Sequence, residues 1–166
     1  MTRDKRQPRH DPRSAARLAA VQAIYQMELS GGDAETVTQE FCEHRFEARD
    51  GAPARKPDTE FFADIVRGVP HHQVEIDRAI AAGLAEGWKL QRIDSILRAI
   101  LRAGVYELVA RRDVPAKVII DEYLDVAHAF FEGDDPAFVN GLLDRVAHRK
   151  RAAEFGEAPP NDELEF

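Results

Sequence analysis

A single cysteine, Cys42, stands among the 166 residues. One thiol makes neither an internal disulfide nor a thiolate metal cluster, so a disulfide-stapled secreted scaffold is excluded and a reducing cytosol is the expected setting. No apolar run approaches the roughly 20 residues that a membrane-spanning helix needs. The opening MTRDKRQPRH is basic, but no apolar segment comes after it, so neither a signal peptide nor a membrane span is expected. No segment alternates strictly between apolar and polar residues as a half-buried strand does.

Catalytic signatures are equally scarce. His71 and His72 are adjacent, so on a helix they point about 100° apart and do not form the i, i+4 metal pair. His10, His44, His128 and His148 are scattered without metal-ligand spacing. Ser14, Ser30 and Ser95 lie in no nucleophile elbow. Gly31-Gly32 lacks the Lys-Ser/Thr of a phosphate loop. Cys42 comes next to Phe41 on an apolar helical face and reads as a small buried hydrophobe rather than a reactive thiolate. The pairs Asp121-Glu122 and Asp134-Asp135 are accounted for by a solvated face or by helix capping. The expectation is a protein without catalytic chemistry, metal or cofactor.

What is present begins with charge. The net charge is −7, yet six arginines and lysines face two aspartates within residues 1–17. That surplus of four leaves −11 on the remainder, a basic arm on an acidic body. Such an arm reads either as a solvated terminus or as an anion-binding element, nucleic acid above all.

Hydrophobic residues make up 44% of the chain and charged residues 32%, enough for one domain with a real core. The apolar pattern is helical throughout. Asp11-Pro12 caps and opens a helix with Leu18, Val21, Tyr25 and Leu29 on one stripe, stopped by Gly31-Gly32. Asp33 caps a shorter helix through Val37, Phe41 and Cys42. Residues 47–57 form a loop. Asp58 or Thr59 caps a helix carrying Phe61, Phe62, Ile65, Val66 and Val69, which Pro70 kinks or ends before the pattern resumes at Val74, Ile76 and Ile80. Ile93, Ile96, Leu97, Ile100, Leu101, Val105 and Leu108 form the widest apolar face, and Gly104 within it implies a close helix–helix approach. Pro115 opens a helix with Val118, Ile119, Tyr123, Leu124, Ala127 and Phe131 inward. Asp135-Pro136 opens a last one. The expected organisation is all-α, about seven helices: a flexible basic arm over 1–11, a helical domain over 12–150 and a disordered acidic tail over 151–166.

Two basic clusters stand out. Arg13 and Arg17, four apart, share a helix face, with Arg6 and Arg9 in the arm before them. Arg145, Arg149, Lys150 and Arg151 end the last helix, where the macrodipole also favours cations. Facing one way, the clusters would make a phosphate track. Leading into the second is PAFVNGLLDRV, in which the turn-favouring pair Asn140-Gly141 interrupts a helical stripe. Either Gly141 admits a neighbouring backbone, or Phe138 and Asn140 meet unstacked bases, an aromatic and a polar group being what single strands are read by.

Three stretches carry a resemblance: AARLAAVQAIYQMELS, ILRAILRAGVYELVARRDVPAKVIIDEYLDVAHAF and FVNGLLDRVAHR, with a weaker match around FFADIVRGV. In this order they resemble the NusB (N-utilisation substance protein B) family of bacterial transcription antitermination factors, over about residues 12–150. The resemblance implies a fold of two three-helix subdomains. It implies binding of the boxA element of nascent ribosomal RNA together with NusE, a small-subunit ribosomal protein, within the antitermination complex on RNA polymerase. No cofactor is implied. By position, Arg6, Arg9, Arg13 and Arg17 match an arginine-rich RNA-binding start and Phe138 an aromatic RNA contact. Asp134 matches a position that affects the complex, and Tyr25 one near partner surfaces. Ser14, Ala15 and Ala137 depart from basic residues found in other members. The free protein could also pair with itself. Two other readings stay open: a NusB-like domain of an RNA cytosine methyltransferase, which needs a Rossmann-like partner domain, and a protein-only adaptor whose acidic body suits a basic ribosomal protein.

Overall fold

The computed structural model describes residues 11–46 and 57–158. Seven α-helices run through them: α1 (Pro12–Ser30), α2 (Ala34–Glu40), α3 (Thr59–His71), α4 (Gln73–Gly83), α5 (Ser95–Ala110), α6 (Ala116–Phe130) and α7 (Asp135–Lys150). A π-helical turn, Phe41–Arg45, extends α2, and two 3₁₀ turns lie at Leu90–Arg92 and Ala152–Phe155. The described residues contain no strand. No helix among them is long and apolar enough to cross a membrane.

Local chemistry sets most of the boundaries. Asp11 accepts from the Arg13 amide at 2.9 Å with Pro12 in the first turn, and Gly31 closes α1 at φ +70°. Asp33 caps α2 through the Thr36 amide at 2.8 Å, and Asp58 caps α3 through the Phe61 amide at 3.0 Å. Pro70 is tolerated within α3, and the chain breaks at His72 before α4. At α7 the cap is Asp134 rather than Asp135, and its side chain makes no capping bond.

α5 is the axis of the fold, packing against α1, α3, α4, α6 and α7. Its faces are buried almost all round, including Arg98, Arg102 and Glu107. Gly104 is a true close approach: a Cβ there would stand 3.0 Å from both Leu143 methyls. Gly68 plays the same part under the Tyr106 ring, where a Cβ would fall 2.2 Å from the ring. α1 buries a different face from the expected stripe. Ala16, Ala19, Ala20, Val21, Ala23 and Ile24 pack inward, whereas Leu29 is 64% exposed. Small alanines let α1 lie close to α3 and α5. Val118, expected inward on α6, is exposed.

Two further expectations are corrected. Cys42 is exposed, because it lies five residues beyond Val37 and so well off the buried Val37/Phe41 face. The tail does not begin at Arg151. That side chain is buried, and its guanidinium donates to the carbonyls of Glu107 (3.1 Å), Leu108 (2.7 Å) and Arg111 (2.7 Å) and to that of Val114. It thereby satisfies the C-terminal carbonyls that α5 leaves unpaired. Glu154, one turn on, accepts from the Ala116 amide at 2.9 Å and caps α6. Residues 151–157 are thus a strap across the α5–α6 connection, and of the expected tail only the residues after Ala158 lie outside the described ones.

Candidate nucleic-acid interface

Arg13 and Arg17 share one helix and separate completely in environment. Arg17 is 2% exposed. Its Nε and Nη2 each donate to Glu107 at 2.9 Å, and its Nη1 lies 3.8 Å from Glu122. The Tyr123 hydroxyl donates to the same Glu107 carboxylate, and the Ser14 hydroxyl bonds to Glu122 at 2.8 Å. Burial opposes the Arg17 charge, but the Glu107 bonds and charge outweigh it and raise its pKa further. Burial, then the Glu107 charge, push the Tyr123 phenol well above its ordinary range. This seam joins α1, α5 and α6. The expectation that Arg17 contacts phosphate is therefore corrected: its donors are committed to buried carboxylates, and extracting it would leave Glu107 unpaired in the core.

Arg13 remains at the surface. Its guanidinium lies 4.6 Å from the Phe61 ring centroid and 3.7 and 3.8 Å from Asp58 and Asp113, long ion pairs between partly exposed side chains. Next to Asp113 in the chain, Arg112 donates to the Lys150 carbonyl at 3.4 Å. Burial, and then the charges of Arg149 and Arg112, lower the Lys150 pKa. The two basic clusters of the sequence thus converge on the turn 111–113, with Arg13 on one side and Arg149 and Lys150 on the other. Arg6 and Arg9 lie outside the described residues.

At its other end α7 presents an aromatic pair. Phe138, half-buried against the core, has its ring 6.2 Å from that of Trp88, with 30° between the planes. Asn140 is exposed, and so is Asp134. Gly141 is not a packing contact: a Cβ there would meet only the Arg145 guanidinium, at 3.5 Å. Arg145 in turn donates from Nε to the Gly83 carbonyl at 2.9 Å. The sequence pattern misses Trp88 and Arg112. The first sits in a polar turn, and the second is half of an Arg-Arg pair that reads as a connection.

Tyr25 is set apart from both ends. It lines a groove of about 480 Å³ with Val21, Leu29, Phe41, Ile96 and Phe130. Leu29 and Phe130 are both exposed there, at 64% and 36%.

The NusB family model matches residues 14–148. The chain belongs to the NusB family. A transcription antitermination protein NusB from Caulobacter vibrioides is 51% identical over 144 residues, covering 86% of this chain and 97% of that protein. Among solved structures, T. maritima NusB superposes with a TM-score of 0.72 at 30% identity, covering 87% of this chain and 96% of that one. A crystal structure of antitermination factors NusB and NusE in complex with dsRNA shares the fold, with a TM-score of 0.68 at 24% identity over 82% of this chain and 96% of that one. The family match takes in Arg112, both rings of the aromatic pair and the Tyr25 groove, and stops one residue short of Arg13 and of Arg149.

Proposed function

We propose that this protein is a cytoplasmic transcription antitermination factor that binds boxA-type single-stranded RNA together with the ribosomal protein NusE, as part of the antitermination complex on RNA polymerase. It acts by binding and assembly, without a reaction of its own. The observation that carries the reading is the 51% identity to an antitermination NusB over nearly all of that protein's length. The geometry supports the RNA half. Arg13, Arg112 and Arg149 offer donors for phosphates at one end of α7, and Phe138 offers a ring at the other, whereas Asn140, two residues on, points about 160° away from it round the helix. From Phe138 to Arg149 is eleven residues, about 16 Å of helix. The Tyr25 groove suits the protein half, because it is an apolar surface on a body with a net charge of −11 and NusE, as a ribosomal protein, is expected to be basic.

The test is fluorescence anisotropy of a labelled boxA-type RNA and a scrambled control, with and without NusE, at two salt concentrations. Sequence-selective binding that NusE tightens is the expected result. Equal, weak and salt-sensitive binding to both RNAs, unaffected by NusE, would overturn the reading in favour of a protein-only adaptor.

A further inference from the structure

Trp88 is the only tryptophan of the chain, and it is 60% exposed. A single exposed apolar side chain is ordinary, but this one stands beside a second ring. Nor is it carried on a loose tip. The Trp88 amide donates to the Ala85 carbonyl at 3.1 Å, and Gly87 takes φ +87°, so the turn has a defined shape. Its base is tied to α7 twice. Gly83, which ends α4, accepts the Arg145 bond at 2.9 Å, and it also lies so close to Leu142 that a Cβ would stand 3.1 Å from that side chain. The element that carries Trp88 and the helix that carries Phe138 are therefore cross-linked next to the ring pair, and the rings are held within 6.2 Å at 30°.

We propose that Trp88 and Phe138 together form a stacking platform for unpaired RNA bases, Trp88 supplying the exposed ring and Phe138 the anchored one. This deepens the RNA-binding reading and rests on it. Three observations select a nucleobase as the occupant. Trp88 offers an extended planar face, which stacks on any base regardless of sequence. Lys89 and Arg92 are exposed just beyond it, which suits the phosphates flanking a stacked base. Phe138 shares its edge of α7 with the exposed Arg145 and Arg149, seven and eleven residues on, and that edge leads from the platform to the basic convergence at 111–113. Phe138 alone, half-buried, presents only part of its ring; Trp88 makes the surface wide enough for a base.

The single indole makes the inference measurable. Titration of the full chain with a labelled boxA-type single strand, in the presence of NusE, should quench Trp fluorescence with the midpoint given by the RNA's anisotropy; this requires a NusE preparation free of tryptophan. Trp88→Ala should weaken binding by about 5- to 150-fold, the range of one base–aromatic stack of ~1–3 kcal/mol. Its salt slope should be unchanged, because no phosphate contact is lost. Trp88→Phe, which keeps a ring, should recover most of the affinity, and both variants should melt as the parent does. Unchanged affinity in Trp88→Ala, with RNA still bound, would overturn the platform and leave the RNA reading intact. Quenching by NusE alone and not by RNA would reassign Trp88 to the protein partner and also overturn it. If Trp88→Ala fails to fold, an absence of RNA-dependent quenching in the parent overturns the platform instead. Failure of the parent to bind any RNA with NusE present would be the failure of the underlying function.

Discussion

Two arginines one turn apart on α1 show how this molecule divides its positive charge. Arg17 is fixed between α1, α5 and α6 by two 2.9 Å bonds to Glu107, whereas Arg13 has ion pairs of 3.7 and 3.8 Å and a place over the Phe61 ring and stays accessible. The same division recurs elsewhere. Arg102 is held bidentately by Asp77 and Arg98 by Glu28 and the Ile93 carbonyl, while Arg151 closes the end of α5. Each is buried and spent on architecture. Arg112 and Arg149 are exposed. A count of basic residues therefore overstates the surface available to phosphate, and the useful quantity is which guanidinium groups still have donors facing water.

The largest effect should come from breaking the buried half. Arg17→Ala strands Glu107 without its cation and is expected to cost about 3–5 kcal/mol of stability, read from urea unfolding. Replacing Arg17 by Met and Glu107 by Leu together should recover much of that loss. A cost below about 1 kcal/mol for the single variant would mean that the seam is solvated and that Arg17 does not differ from Arg13 in kind.

The exposed half should behave in the opposite way. Arg13→Ala should change stability by less than about 1 kcal/mol, since exposed pairs contribute little. It should flatten the salt dependence of RNA binding by roughly 0.7 log units, and Arg13→Ala with Arg149→Ala by roughly twice that. If the slope does not move while RNA still binds, the convergence at 111–113 is not the phosphate contact.

Much of the fold can be read from the sequence because its signals are local. Asp11-Pro12, Asp33, Asp58 and Gly31 act within a few residues of themselves, and each bounds a helix as expected. Gly104 was legible because a glycine in a wide apolar face has few other uses. The candidate site was less legible, because exposure depends on partners far along the chain. Glu107 lies 90 residues from Arg17, and the carbonyls that hold Arg151 are about 40 residues before it. No spacing rule reaches that far. Trp88 failed for a related reason: its importance comes from Phe138, 50 residues away, and its own turn carries no periodicity. The family resemblance implies RNA and protein partners, but it does not say which arginines the core consumes.

Gly141 offers a smaller test of the same contrast. With only the flexible end of Arg145 nearby, an alanine Cβ fits, and Gly141→Ala should stabilise the domain by up to about 1 kcal/mol through helix propensity, seen as a rise in Tm. Destabilisation would restore the packing explanation of Asn140-Gly141. If the variant is more stable but binds RNA less well, the glycine is kept for the surface and not for the core.

The smallest effect concerns the strap. The His148 ring stacks on Phe155 at 3.9 Å, with Nδ1 3.0 Å from Glu157 and Nε2 3.5 Å from Asp144. The bond to Glu157 is the main cause of its raised pKa; loss of hydration opposes the rise, and the charges of Glu157 and Asp144 add to it. Because the folded pKa lies above the unfolded value of about 6.5, the stabilisation from this contact is complete below that pH. It is lost as pH rises through the folded pKa. Arg151 and Glu154 hold the start of the strap by bonds that involve no histidine, so only its far end should loosen. Amide exchange at Gly156 and Glu157, corrected for intrinsic rates, should therefore accelerate as pH rises above about 6.5, while the Arg151 amide stays protected. In His148→Gln the corrected rates should lose that pH dependence; if the dependence persists, another group governs how the strap is held.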